Sequence, residues 1–395
     1  MNRVVMTLIT AYFFTLCAES QIVIHTDQVA NFHKLMKYSE DLSNSKLSVR
    51  RGNFNELQRS FDNNNRDLQF RLLLDTLLNT SVLYTDEVIG GVTTYDFKDA
   101  TGEQAYRLAF TLLPGYCVNI TGGMTESWVR YWNSEHPQIV DKLIKRVTES
   151  QDTIISEIKR DCKLLLPEDS DLDLQININT IVDGNRGSFQ FGNNVMMDMI
   201  NRDYADFSRF VSVIKHEMHH AYYREWMDRR YNNKERAEAD GYFYEFQKSF
   251  AFEGIAQRYT YDNYSKEVKQ LYSNSDLISE LFDEWISLIR AANSPSVLEI
   301  FYNYMESQYD NEIKRLKQYY PGNSDSVEFQ YRPNFTYYLS YNIYNSIFEI
   351  GGLKLLKYVI ENPDKLLSTY NKHHVDSMLI PLIPNDVIEK WETNF

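Results

Sequence analysis

Apolar positions return at helical spacing along most of this chain and at strand spacing in one short stretch. From Val29 to Leu165 they recur every three or four residues, most clearly over 68–78 and 139–165. Gly90-Gly91 and Pro114-Gly115 break the pattern. The period changes at Leu174-Gln-Ile-Asn-Ile-Asn-Thr-Ile-Val182, where apolar and polar residues alternate and β-branched side chains are frequent, the mark of a strand with one buried face. Asp183 to Gly187 reads as a turn, 188–191 as a second strand, Gly192-Asn-Asn194 as another turn and 195–200 as a third strand. The helical period then resumes and runs almost to the end, with a turn at Pro321-Gly322. No internal repeat is visible. The pattern predicts a predominantly α-helical α+β protein with one small sheet over about 172–200. Pro167-Glu-Asp-Ser-Asp171 is the best junction, dividing a helical region over 21–166 from a domain over 167–395.

The helix after the sheet is predicted over 204–230. At about 100° per residue, Phe207, Phe210, Val211, Ile214, Met218 and Ala221 gather on one side, and His216 and His220 fall opposite them with Val213, Tyr223 and Met227. Residues 216–220 read His-Glu-Met-His-His, one copy of H-E-x-x-H. Histidines four residues apart lie one turn apart on one face, where both rings can reach a single Zn²⁺ at about 2.0–2.1 Å. Glu217 sits beside that position, free to take a proton from a water acidified by the metal. His219, about 60° around the helix from His216, fits a supporting contact or a solvated surface equally well.

A catalytic zinc site needs a third protein ligand. The extended pattern H-E-x-x-H-x-x-G-x-x-H is excluded, because Tyr223 and Trp226 stand where it requires Gly and His. Glu253 is the best candidate: it lies in the apolar run Ser249-Phe-Ala-Phe-Glu-Gly-Ile-Ala256, and small residues after it let another helix approach. A carboxylate in such company needs a partner. A metal would serve, or a salt bridge to Arg258 or Lys248. Glu238 and Asp240, in a charged connector, are the rivals.

With these residues in place the chain resembles the gluzincins, the zincin branch in which H-E-x-x-H supplies two histidines and a Glu on a later helix supplies the third ligand. More narrowly it is similar to secreted bacterial proteins described as zinc-dependent peptidases. The resemblance covers roughly 170–360 and includes Glu253-Gly-Ile-Ala256, which is close to Glu-Gly-x-Ala of several gluzincin families. It implies a zincin-like core, a helical C-terminal subdomain, His216, His220 and Glu253 as ligands, and Glu217 as general base and acid. It further implies that Val195 to Asp198 is a substrate-binding edge strand, and that a Tyr from the helix over 335–352, Tyr338 first and Tyr341 second, donates to the oxyanion. With 29 tyrosines in the chain, any helix here would present one, so a packing role competes. The Gly-x-Met-x-Asn edge of the aminopeptidases is absent, since 192–198 reads Gly-Asn-Asn-Val-Met-Met-Asp. Gly123-Met-Thr-Glu126 lies too far upstream to replace it. His373 and His374, in a polar stretch after Pro363, read as solvated.

The remaining features set the context. Met1-Asn-Arg3, an apolar run from Val4 to Ala18 and the small residues before Gln21 read as a secretory signal peptide over 1–20, which predicts a secreted or periplasmic protein. No later stretch is long and apolar enough for a membrane span. Removing the leader leaves Cys117 and Cys162, for which one disulfide is permitted. A net charge of −14 argues against nucleic acid as a partner. Asn79, Asn119, Asn263 and Asn334 head glycosylation sequons, meaningful only in a eukaryotic secretory route. The expectation is a zinc-dependent peptidase acting on a peptide or protein substrate. A zinc-binding protein without turnover and a metal-dependent hydrolase of non-peptide substrates are the rivals.

Overall fold

A four-residue run, Ile22-Val-Ile-His25, too short to show a period, opens the fold in the computed structural model as strand β1 (Ile22–His25). The structure describes residues 22–43, 130–181, 188–199, 207–231, 238–291, 314–315, 317–320 and 335–395. The leader, the helix over 68–78, the breaks at Gly90-Gly91 and Pro114-Gly115, Cys117 and the Pro321-Gly322 turn lie outside these residues. So do the sequons at Asn79, Asn119 and Asn334.

The described residues are mostly helical with one small sheet, the predicted α+β class. After β1 come α1 (Asp27–Ser43), α2 (His136–Glu149), α3 (Gln151–Leu164), β2 (Ile176–Ile181), β3 (Phe189–Phe191), β4 (Asn194–Asp198) and α4 (Phe207–Tyr231). Then follow α5 (Glu238–Thr260), α6 (Lys266–Tyr272), α7 (Ser275–Ala291), a π-helical turn at Phe335–Leu339, α8 (Ser340–Glu361), α9 (Leu366–Lys372) and α10 (Asn385–Asn394). The periodic stretch over 139–165 is two helices, parted at Ser150, where ψ swings to 15°. Gly352, with φ 63° and ψ −162°, breaks the helical path inside α8, a backbone that glycine adopts without Cβ strain. The helix predicted over 335–352 therefore does not end there; it resumes beyond Gly352 to Glu361.

Packing gathers the chain into two units, one of Ile22–Ile155 with Ile176–Phe210, the other including Ser156–Gln175 and Val211–Phe395. The first holds the sheet, in the order β1-β2-β4-β3. β1 and β2 run parallel with Ile22 opposite Ile176, β2 and β4 run parallel, and β3 folds back antiparallel on β4 through a two-residue loop. Gly192 in that loop has φ 52°, the positive value a tight hairpin demands. The strand order corrects one expectation: Val195 to Asp198 is no edge, because β4 is paired on both sides, and the edges are β1 and β3. Adjacent strands in sequence do not reveal that β2, not solvent, takes the second side of β4.

In the same unit His33 of α1 joins a satisfied network. Its Nδ1 lies 2.7 Å from Asp141 Oδ1 and its Nε2 lies 2.7 Å from the Tyr131 hydroxyl. Burial lowers the His33 pKa and Asp141 opposes it only in part, so the ring is neutral, with Nδ1–H donating to the carboxylate and Nε2 accepting from Tyr131.

In the second unit α4 is buried on nearly every side: Ile214, His219, Tyr222, Tyr223 and Met227 expose nothing. Lys215 clamps it to α3 through Glu157 at 2.6 Å and Asp161 at 2.7 Å. The loop after α3 is tied to it as well, since Asp169 accepts Trp226 Nε1–H at 2.6 Å and, through its carbonyl, Arg229 Nη2–H at 2.7 Å. Cys162 is a free, buried thiol near the Lys215 carbonyl. α5 and α8 approach closely at Gly254, where a Cβ would fall 2.6 Å from Tyr344 and 2.8 Å from Ser340. This is the close helix contact that the small residues after Glu253 predict.

Candidate metal centre

α4 delivers His216, Glu217 and His220, and α5 delivers Glu253. The spacing of four sets the two rings on one face, with Nε2 atoms 2.9 Å apart. Glu253 straddles them, with Oε2 3.4 Å from His216 Nε2 and Oε1 3.4 Å from His220 Nε2. These contacts are too long for good hydrogen bonds, and Glu253 Oε2 is buried without accepting one. Donors around a tetrahedral ion with bonds of about 2.0–2.1 Å stand about 3.3 Å from one another. The three separations bracket that value, and two imidazoles with a carboxylate are a zinc donor set. The site therefore fits the ion on its own geometry.

Three buried groups and the mostly shielded Glu253 share this space, and their protonation is divided among them. Burial alone would raise the Glu253 carboxyl, but the two imidazoles hold it well below the usual range. Burial lowers His220 to about 4 against the pull of Glu253. At His216 burial is outweighed by Glu253 and Glu217, so its pKa rises. His216 is thus the ring that holds a proton more readily, drawn to the Glu253 carboxylate. A divalent cation does the same electrostatic work, and its binding would release that proton. Burial pushes Glu217 up to about 7, with His216 and Arg224 opposing and Glu253 adding to the rise.

Glu217 is also close enough to be considered a ligand, as donor atoms of His216, Glu217 and His220 all lie within 4.8 Å of one another. Glu253 is the better one. It touches both ring nitrogens and stays ionised, whereas Glu217 holds a proton up to neutral pH and is better suited to moving one. The salt-bridge alternative for Glu253 is not realised: Lys248 pairs with Asp228 and Glu245, and Arg258 binds Asn345 and covers the Phe348 ring. Glu238 and Asp240 begin α5, but their side chains lie outside the described ones.

Packing fixes the rings. Phe252 stands edge-on to His220 at 4.7 Å. His219 is neither solvated nor turned to the cluster: it is fully buried, its Nε2 lies 3.0 Å from the Leu165 carbonyl, and burial drops its pKa to about 3. Neutral, it donates that N–H and ties α4 to the end of α3.

Residues 103–374 match the model of the family described as "Putative zinc dependent peptidase (DUF5700)". The chain belongs to this family. No curated protein and no solved structure matches it. The stretch matched by the DUF5700 model carries all four members of the cluster, together with Tyr338 and Tyr341, and leaves out β1 and α1.

Tyr338 and Tyr341 are occupied in an aromatic cluster, Tyr338 stacked on Tyr272 at 4.2 Å and Tyr341 on Tyr261 at 4.6 Å. Both are buried, and packing accounts for them. His374 is half-buried and donates to the Ile380 carbonyl at 3.1 Å, so it closes a turn rather than facing only solvent. One residue beside the cluster, Arg224, escapes a reading by motif. Its only sequence signal is its place four residues after His220.

Proposed function

We propose that this DUF5700 member is a gluzincin-type metallopeptidase, in which His216, His220 and Glu253 hold zinc and Glu217 carries the proton during hydrolysis of a peptide bond. The observation that supports this best is the Glu253 carboxylate, mostly shielded from water, 3.4 Å from each Nε2 and with its buried Oε2 unbonded. Zinc held there supplies a Lewis acid for the scissile carbonyl and lowers the pKa of water. Glu217 accepts the proton of the attacking water and returns it to the leaving amine; a carboxyl near pKa 7 exchanges protons readily at neutral pH. His216 and His220 keep their Nε2 lone pairs aimed at one point through the stiffness of α4 and the packing of Phe252.

The reading includes a leader over 1–20, export from the cytoplasm and a peptidase domain over 167–395. The apolar run at Val4 to Ala18 supports the first two, and the clustering of the candidate ligands in α4 and α5 supports the third. No described helix is long and apolar enough to cross a membrane.

The test is elemental analysis of the purified chain beside assays on peptide and ester substrates. Near one zinc per chain is expected, lost in Glu253→Ala and kept in Glu238→Ala. Glu217→Gln should keep the metal and lose peptide hydrolysis by a factor of about 10²–10⁴. A wild type that takes up no zinc, or that cleaves esters and no peptide, would overturn the proposal.

A further inference from the structure

Arg224 shares a stripe of α4 with the two histidines, at i, i+4 and i+8 from His216. Its guanidinium carbon sits 5.3 Å from the centre of the Phe252 ring, the same ring that stands 4.7 Å from His220. The arginine is thus beside the His–Glu cluster. It is half-buried, its Nε is buried without an acceptor, and it makes no hydrogen bond or ion pair among the described residues.

Other shielded cations of this unit are not left so. Lys215 holds Glu157 and Asp161, Lys248 holds Asp228 and Glu245, and Arg315 holds Glu280 and Glu284. In a chain of net charge −14, carboxylates are plentiful, yet among the described residues Arg224 makes no direct contact with one and lies against the Phe252 ring, with Glu217 near enough to feel its charge. A guanidinium offers five N–H donors in a planar fork that matches a carboxylate two bonds at a time. Losing hydration without gaining such a partner is costly unless a partner arrives with the substrate.

We propose that Arg224 binds the C-terminal carboxylate of a peptide substrate, which makes the protein a carboxypeptidase that releases one or two residues at a time. The inference rests on the metallopeptidase reading and adds the substrate class to it. One turn of α4 separates Arg224 from His220, about 6 Å along the axis, and a peptide residue spans about 3.3–3.6 Å, so one or two residues fit between the scissile bond and the anchor. Water adds its oxygen to the scissile carbonyl carbon, the C–N bond breaks, the proton passes to the amine, and the released product keeps the carboxylate that Arg224 holds.

The experiment uses the zinc-loaded full chain as wild type, Arg224→Gln and Arg224→Lys, assayed on matched peptides ending in a free acid or an amide. Wild type should favour the free acid. Arg224→Gln should collapse the acid-to-amide ratio of kcat/KM by about 10- to 100-fold, chiefly through KM for the acid and with zinc content unchanged. Arg224→Lys should recover part of the ratio, since it restores the charge but not the fork. A wild-type ratio near one, or an equal loss on both peptides in Arg224→Gln, would overturn the carboxylate assignment and point to the oxyanion or to packing instead. A wild type without zinc or without action on any peptide would overturn the metallopeptidase reading, and this inference with it.

Discussion

Two histidine–carboxylate clusters sit in this chain, one in each unit, and they differ in how their polar atoms are used. At His33 both ring nitrogens have a partner at 2.7 Å, and neither is left for anything else. At His216 and His220 two Nε2 atoms converge on one carboxylate at 3.4 Å, beyond good hydrogen bonding, and one oxygen has no bond. A cluster whose donors and acceptors match pairwise holds a fold together, whereas one whose lone pairs crowd toward a common point is short of a cation. Burial adds to the contrast, because Asp141 stays exposed while Glu253 is mostly shielded from water.

The largest effect should come from removing a ring. His220→Ala is expected to reduce bound zinc from near one per chain to near none and abolish hydrolysis, while His33→Asn leaves the zinc stoichiometry unchanged and costs about 1–3 kcal/mol of stability. Elemental analysis beside thermal unfolding checks both halves. Equal zinc loss in the two variants would erase the contrast.

A smaller effect should follow from pressing on the Glu253 helix from behind. Gly254→Ala puts a methyl into Tyr344 and Ser340, so overpacking of about 1–3 kcal/mol should appear as a lower Tm and, because Glu253 is the neighbouring residue, as weaker zinc retention against a chelator. An unchanged chelator titration would mean that the position of Glu253 does not depend on this contact.

Subtler still is a pH slope from the satisfied cluster. His33 titrates below the ordinary 6.5, so in the window under that value the unfolded chain takes up the proton first, and stability falls as pH falls. The Tm of wild type should drop more steeply than that of His33→Asn between about pH 7 and 5, a comparison made by calorimetry. Parallel slopes would place the proton uptake elsewhere. The smallest effect is expected for Tyr338→Phe and Tyr341→Phe, with kcat within about twofold of wild type; a fall of about 100-fold in either would give that hydroxyl the oxyanion role.

Much of this was legible because it is local. The alternation in 174–182, the Gly192 hairpin and the four-residue spacing of His216 and His220 depend on neighbours in the chain, and each appears within a residue or two of its expected place. The place of Glu253 beside the two histidines was foreshadowed because a carboxylate among Phe250, Phe252 and Ile255 needs a partner. What escaped is long-range. Ile22 to His25 is too short a run to show a strand period and gains its meaning only when residues 176–179 pair with it, and the second partner of β4 is set by strand order rather than by pattern. His219 carries no sign of the Leu165 carbonyl it meets, and a lone arginine such as Arg224 looks solvated until its missing partner is noticed.

The register that puts Ile22 opposite Ile176 also bears on how the protein is made. Synthesis proceeds at about 5–20 residues per second, so roughly 150 residues must emerge before β1 meets β2, an interval of about 8–30 s. During that time Ile22 and Ile24, buried in the finished sheet, have no strand to lie against. The sheet can close only late, and a ribosome pausing before β2 leaves a sticky N-terminal strand for any other chain to capture.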